Sequence, residues 1–527
     1  MRLLLCHSLL FRHPVQAPRR FFMMATAPQA EAAWEFYRSL GSPKYLIAPM
    51  VDASELAWRM LSRLHGAELC YTPMIHAHLF PQPSVQEGYF SLSKGEEGSS
   101  FDRPLVAQFC ANDPEIWENS ASILAERQAC DAIDLNLGCP QGIAKRGEYG
   151  AFLMEKRERV KDMISRLAGS KKLKGTPILA KFRRLETIEK TVEYAKMLEA
   201  AGASWVVLHG RTKEMKGQYT GLADWDHVRA VKAALSIPVF SNGNILTHQD
   251  VVRCLAYTSC DGVMSAEGSL YNPSIFAPLD RDGSISKQFL CSIPGDLRDA
   301  LESIKRHMSM QVPSTERDRQ TNIFPPIIFI TRQYLAIVRH LKTPTPTSSQ
   351  RGHLFKIWKP VLVRDDYSDI RDRLSSVHEF EELTDELEQR LKDDVVAGRL
   401  PDALSVYLPL NGDSIPYSHC QPYIRPLPPD ISTQTATMIN ALQPLVELLH
   451  RTICSSPDCQ NMSGTKCSRG MCKTCCEIAW EGSSVCGFHM QRKVKRAELA
   501  AEKKERKKRK RDEIIGGPRK REKVATL

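Results

Sequence analysis

Between residues 45 and 267 the apolar positions gather into eight short runs: YLIAPM (45–50), AELCYTPM (67–74), PLVAQF (104–109), AIDLNLG (132–138), PILAKFR (177–183), WVVLHGR (205–211), PVFSNGN (238–244) and DGVMSAE (261–267). Short continuous apolar runs that end in polar, Pro or Gly residues predict buried strands. The segments between most of them, among them SELAWRMLSRLHG, PEIWENSASILAERQ, TIEKTVEYAKMLEAAG and DWDHVRAVKAAL, place apolar residues three and four apart and predict amphipathic helices. Eight strands alternating with helices predict parallel pairing through right-handed crossovers, and units of this number and size predict a closed α/β fold, the (β/α)8 TIM barrel. A doubly wound open sheet is the competing architecture. Eight regular units, with no G-x-G-x-x-G after the first strand, favour the barrel.

The barrel is assigned to residues 41–280, behind a leader of residues 1–40 expected to lack structure. Residues 281–323 hold frequent Asp, Gly, Ser and Pro around one short helical stretch and read as an insertion or linker. Helical periodicity returns over 324–398 and predicts a small helical domain, followed by a Pro- and Ser-rich linker at 399–445. A zinc-binding module at 446–490 and a disordered basic tail at 491–527 complete the expected organisation.

Composition narrows the classes. Hydrophobic residues are 42% of the 527 and charged residues 25%, close to ordinary globular usage. No run approaches the roughly 18 apolar residues of a spanning helix, so a soluble chain with no membrane partner is expected. Of the net charge of +11, residues 491–527 contribute 16 Lys+Arg against 6 Asp+Glu, which leaves the other 490 residues close to neutral. A block of like charge such as 503–511 stays solvated and attracts nucleic acid or a nuclear import receptor. Nucleus and cytoplasm are the expected compartments. The first 30 residues contain no acid and carry Arg2, Arg12, Arg19 and Arg20, which resembles a mitochondrial presequence. Met23 and Met24 offer alternative starts.

In a barrel the C-terminal strand ends share one rim. The predicted strands end on Gln108, Asn136, Lys181, His209 with Arg211, Asn242 and Glu267, so these residues converge on one mouth. Cys139 follows the fourth predicted strand, between Gly138 and Pro140 and ahead of a Gly-rich stretch carrying Lys145 and Arg146. A free thiol titrates near about 8.5 and holds its proton at neutral pH, so it serves as a proton donor or, once ionised, as a nucleophile.

Taken in order, APM in the first strand, PLVAQF, DLNLGCP, AKFR, VLHGRT with KGQYTGLADW, SNGN and VMSAEG resemble the flavin-dependent tRNA-dihydrouridine synthases. The opening APMVDASELAWR is most similar to the eukaryotic subgroup that reduces uridines 16 and 17 of the D-loop. The resemblance covers residues 45–276 and, less densely, 324–365. It implies FMN as cofactor, NADPH or NADH as reductant and tRNA as partner. Pro49, Met50 and Val51 match positions whose backbone lies against the flavin ring, and Gln108, Lys181 and His209 match its polar contacts. Asn242, Gly243 and Asn244 match one phosphate-side loop, Ala266 and Glu267 the other, and Cys139 the proton donor. Many family members carry Gly-Arg where this chain has Ala266-Glu267. A carboxylate beside a phosphate has to turn away or bond neighbouring amides.

The implied reaction is reduction of the uracil C5=C6 bond, with hydride from flavin N5 to C6 and a proton from Cys139 to C5. The target base has to leave its stack to reach the mouth. The stretch RGHLFKIWKP, with Arg351, His353, Lys356 and Lys359 among Phe355 and Trp358, suits phosphate contact plus stacking, or equally an amphipathic helix with Trp358 inward. Cys454, Cys459, Cys467, Cys472, Cys475, Cys476, Cys486 and His489 supply enough ligands for two tetrahedral Zn2+ sites. Two other functions compete: a flavin-dependent reductase of a free pyrimidine, and a non-catalytic zinc-bearing RNA-binding protein.

Overall fold

The computed structural model describes residues 27–217, 220–279, 284–309, 324–399 and 415–425, all within the compact unit Met1–Pro426. The Cys/His cluster, residues 1–26 and the basic tail lie outside the described residues, and with them the zinc sites and the import signal expected from sequence.

Successive side chains of a strand point to opposite faces, and here the two faces meet different surroundings. Among the described residues there are nine parallel strands: β1 (Tyr45–Ile47), β2 (Leu69–Tyr71), β3 (Ile75–His76), β4 (Leu105–Cys110), β5 (Ala132–Leu137), β6 (Ile178–Arg183), β7 (Trp205–His209), β8 (Val239–Asn242) and β9 (Gly262–Ser265). Pairing runs β2-β1-β9-β8-β7-β6-β5-β4, and β2 also pairs with β4, which closes an eight-stranded TIM barrel. Each of the eight predicted runs contains one barrel strand. The two-residue β3 is an addition laid on β4. One parity of side chains, including Ile47, Phe109, Leu135, Phe182 and Leu208, faces the helices, and the other, including Leu46, Val106, Leu179, Val207 and Met264, fills the barrel.

Helix α1 (Ala27–Ser39) closes the barrel floor: Phe36 stacks on Trp205 with centroids 5.2 Å apart, and Tyr37 meets Phe240 edge-on at 5.9 Å. The expectation of an unstructured leader over 1–40 therefore fails for residues 27–39, whose aromatic residues are needed to cover an otherwise exposed apolar interior. Helices α2 (Leu56–Leu64), α3 (Pro83–Tyr89), α4 (Pro114–Glu126), α5 (Gly142–Arg146), α6 (Arg157–Ala168), α7 (Ile188–Ala201), α8 (Trp225–Ala234), α9 (His248–Thr258) and α10 (Glu267–Tyr271) follow in the connections. Side chains of Asp113, Thr187, Asp224 and Thr247 accept from the first N–H groups of α4, α7, α8 and α9, satisfying donors a helix cannot pair internally.

A second layer comprises α11 (Ser284–Ser292), α12 (Gly295–Ser309), α13 (Ile327–His340), α14 (Thr347–Ile357), α15 (Lys359–Leu362), α16 (Ser368–Ser376) and α17 (Glu381–Val396). Its core is shared with α2, whose Trp58 and Leu61 pack among Leu301, Tyr334 and Trp358. Helix α2 is thus buried on both sides. Its two arginines are held inside, Arg59 by a bidentate bond to the fully buried Asp102 at 2.9 and 2.6 Å. Residues 284–309, expected as part of an insertion or linker, bury Phe289, Ile293, Leu297 and Leu301 in this core and so do not act as a linker. Part of the second expected linker is also packed, since Cys420 is fully buried and its N–H bonds the carbonyl of Pro325 at 2.9 Å.

In the basic and aromatic stretch 351–359, His353, Trp358 and Arg351 serve packing. His353 is fully buried, stacks on Trp58 at 3.9 Å and bonds Glu55 at 3.0 Å. Trp358 donates to Thr331 at 2.8 Å, and Arg351 donates to the carbonyls of Leu374 and Val377. No described helix is long and apolar enough to cross a membrane.

Candidate active site

The inward rows of the strands change character as they rise. Val106 is followed two residues on by Gln108 and then Cys110; Ala132 by Asp134 and Asn136; Leu179 by Lys181 and Arg183; Val207 by His209 and Arg211; Phe240 by Asn242 and Asn244. Period-two alternation turns each row into a column, apolar at the floor and polar at the mouth. Predicted residues from five strands therefore meet at one end of the barrel. Met50 and Ala266 border the same interior, whereas Val51 is 58% exposed beside it.

The polar layer is internally bonded. Gln108 donates from Nε2 to Asp134 Oδ2 at 2.8 Å and accepts from Asn136 Nδ2 at 2.9 Å. Asn136 uses its other end on the loop above: Oδ1 accepts from the N–H groups of Gly138 at 2.9 Å and Cys139 at 3.0 Å. The Cys139 carbonyl accepts from Ala151 N at 3.0 Å. Gly150 lies against that turn with φ +64, and a Cβ there would stand 2.7 Å from the Cys139 carbonyl. Cys139 itself is half-exposed at the mouth. Beneath it the buried Cys110 thiol is pushed up to about 12 by burial and by the neighbouring Cys139, so it stays protonated.

Cations crowd the same space. Burial and the adjacent Arg183 bring the Lys181 ammonium down to about 8. It has no hydrogen-bond acceptor among the described residues. Arg183 donates to the carbonyls of Gly138 at 2.6 Å and Thr212 at 2.8 Å, and burial beside Arg211 brings it to about 10. Arg211 donates to His209 Nε2 at 3.2 Å and to Asn244 Oδ1 at 2.8 Å. Burial and the surrounding cations hold His209 well below the usual imidazole range, hence neutral, with Nε2 the acceptor. Asp134 runs the other way: burial raises it to about 7, only partly offset by the Gln108 hydrogen bond and Lys181, and its Oδ1 has no partner among the described residues.

At the side of the mouth formed after β8 and β9, Asn242 turns its amide to the Met264 carbonyl at 2.8 Å, and Asn244 bonds both backbone groups of Ala223 at 2.9 Å. Gly268 packs so tightly that a Cβ would come 2.2 Å from the Ile245 carbonyl. The backbone N–H groups of Gly243, Asn244, Glu267 and Gly268 have no acceptor among the described residues. The Glu267 carboxylate bonds no backbone amide among the described residues. It forms a bidentate pair with Arg425 at 2.7 and 2.9 Å. A mouth lined by donors and cations, with free amides at one side, fits a flat anionic nucleotide such as a flavin mononucleotide. No cluster of potential metal ligands occurs among the described residues.

Asp134, Arg183 and Cys110 belong to the site but were not singled out from sequence. Each lies two residues from a residue that was noted on the same strand, so extending the alternation by one step finds them. Arg425 carries no such signal, being 158 residues from its partner.

A family model for dihydrouridine synthase (Dus) matches residues 46–350. The chain is 37% identical over 475 residues to a tRNA-dihydrouridine(16/17) synthase-like protein of Rattus norvegicus, covering 84% of this chain and 94% of that one. It is 38% identical over 408 residues to the tRNA-dihydrouridine(16/17) synthase of Schizosaccharomyces pombe, covering 75% and 90% of the two chains. For the Saccharomyces cerevisiae protein of the same name the identity is 37% over 416 residues, covering 75% and 86%. Barrel, mouth and sequence similarity agree over the same residues, and the chain belongs to the dihydrouridine synthase family.

Proposed function

We propose that this protein is an FMN-dependent tRNA-dihydrouridine synthase that reduces D-loop uridines 16 and 17 at the expense of NADPH or NADH. The substrate positions and the nicotinamide requirement rest on the names of its relatives, two of which are tRNA-dihydrouridine(16/17) synthases that name NAD(P)(+). The observation that carries the chemistry is the half-exposed Cys139, fixed by Asn136 directly over a donor-rich, cationic barrel mouth.

Met50, Gln108, Lys181 and His209 would hold the flavin ring, and the free amides of Gly243, Asn244, Glu267 and Gly268 its phosphate end. When bound and reduced, the flavin supplies the hydride that C6 of uracil receives. The electron pair of C5=C6 then moves toward C5, and Cys139 gives its proton there, to be reprotonated from solvent. Asn136 keeps the Cys139 backbone in register with the mouth. Lys181 opposes the negative charge that accumulates beside it, as a half-buried cation with no competing anion at bonding distance does more strongly than an exposed one.

Cys139→Ala separates the two half-reactions. The variant is expected to bind flavin and to have it reduced by nicotinamide at wild-type rates, while tRNA reduction falls by at least about two orders of magnitude, the usual worth of a positioned acid. Undiminished tRNA turnover in that variant refutes the acid role.

A further inference from the structure

Residues 415–425 form a strap that leaves the helical layer and ends on the barrel mouth. Its start is sewn to α13, where Ile327 N donates to the Ser418 carbonyl and Cys420 N to Pro325, both at 2.9 Å. Tyr423 then stacks on Tyr271 of α10 with centroids 4.9 Å apart, under the Lys359 ammonium at 5.8 Å. Arg425 closes the run: Nε and Nη2 hold the two Glu267 oxygens at 2.7 and 2.9 Å, and Nη1 donates to the carbonyl of Gly217 in the β7–α8 connection.

Electrostatics gives this arrangement a purpose. The backbone N–H groups of Gly243, Asn244, Glu267 and Gly268 have no acceptor among the described residues, a place suited to an anion, and the Glu267 side chain brings a carboxylate to the same side of the mouth. With Arg425 in place the carboxylate is matched by a guanidinium, and Arg211 and Lys356 lie within the same field. The local balance becomes one carboxylate against three cations. Without Arg425, a bare carboxylate would face whatever anion the amides receive.

We propose that Arg425, delivered from outside the barrel and oriented by Glu267, completes the phosphate end of the flavin site. Glu267 acts as the positioning residue. The inference rests on the flavin reading above and extends it to a residue beyond the barrel. The guanidinium has five donors, of which the bonds to Glu267 and Gly217 use three, so two remain for a phosphate oxygen.

The test uses the full chain stripped of flavin and titrated with FMN and with riboflavin, which lacks the phosphate. The wild type is expected to bind FMN more tightly than riboflavin. Arg425→Ala is expected to weaken FMN at least ten-fold and leave riboflavin within two-fold. Adding Glu267→Gln to Arg425→Ala removes the unmatched carboxylate and is expected to recover part of the FMN affinity but not the share of the missing guanidinium donors, whereas a merely structural strap would recover none. Equal loss of FMN and riboflavin overturns the proposal, as does wild-type FMN affinity in Arg425→Ala. Unchanged FMN affinity with weaker tRNA binding and a shallower salt slope also overturns it and assigns the guanidinium to tRNA phosphate. A wild-type protein that binds neither flavin overturns the underlying flavin reading instead.

Discussion

Asp134 offers a direct measurement of how the polar layer is built. Its side chain is completely buried, it accepts one hydrogen bond from Gln108 at 2.8 Å, and its other oxygen has no partner among the described residues. Burial raises it to about 7, and Lys181 pulls it only partly back. A carboxyl group in the unfolded chain titrates near 3.9, so the native state retains a proton through roughly three pH units in which the unfolded state has lost it. The stability from this group is complete below about pH 4 and disappears as pH rises through about 7; three units at about 1.4 kcal/mol each give about 4 kcal/mol in all and roughly 2.5 kcal/mol between pH 5 and pH 8. In Asp134→Asn the new carboxamide would present an oxygen to Gln108 and an NH2 where Oδ1 stands alone, so the substitution removes the titration without removing the bond. Guanidinium unfolding at pH 5 and pH 8, followed through the buried Trp58, Trp117, Trp205 and Trp358, reads the effect. The variant is expected to gain roughly 2.5 kcal/mol on wild type over that interval. Parallel pH dependences would show that the carboxyl is not held protonated and that the layer is charged in another way.

The remaining predictions concern Cys139 and its supports. Asn136→Ala leaves the N–H groups of Gly138 and Cys139 without their acceptor, at about 1–3 kcal/mol each if they stay buried; tRNA reduction should fall while nicotinamide-driven flavin reduction in stopped-flow does not. Lys181 is cationic below about 8 and neutral above it, so the rate of tRNA reduction should decline as pH rises through that value, and Lys181→Arg should move the decline to well above that value; an unmoved limb excludes Lys181 as its source. Gly150→Ala forces a side chain into φ +64 and a Cβ to 2.7 Å from the Cys139 carbonyl; a lower Tm by several degrees and slower tRNA turnover are expected, by calorimetry and single-turnover assay, and normal turnover would mean the Cys139 turn is freely adjustable.

The barrel and its mouth were legible because both follow from periods. Alternation at two marks the strands, spacing at three and four marks the helices, and polar residues at the strand ends mark the rim. The same rule reaches Asp134 and Arg183 once applied one step further along each strand. What composition obscured was the outer layer. Residues 284–309 contain enough Asp, Ser and Lys to read as a linker, yet Phe289, Leu297 and Leu301 are buried because α2 offers a second apolar face to cover. His353 and Lys356 looked alike as basic residues, but one stacks on Trp58 in the core and the other is half-buried near Glu267. Only the tertiary partner distinguishes them. The Glu267–Arg425 pair lies beyond any local pattern, since nothing between the two residues dictates that they meet.

The electrostatics of the mouth connect these observations. Lys181, Arg183 and Arg211 are gathered with a neutral His209, and each of the three cations is pulled below its ordinary range by burial and by its cationic neighbours. Asp134, the acid acting on Lys181, is itself largely protonated below about pH 7 and offsets little of that charge. A closed barrel tolerates the repulsion because strand pairing and the apolar floor, from Leu46 to Met264, fix the backbone independently of the mouth. An anion entering the mouth would therefore gain the attraction of charges already held in position, the one carboxylate at its phosphate side, Glu267, being matched by Arg425. Preorganised charge of this kind acts on a reacting group without reorganisation at the moment of reaction. Strand alternation alone delivers it, because the same two-residue step that carries Leu179 into the core carries Lys181 and then Arg183 to the rim.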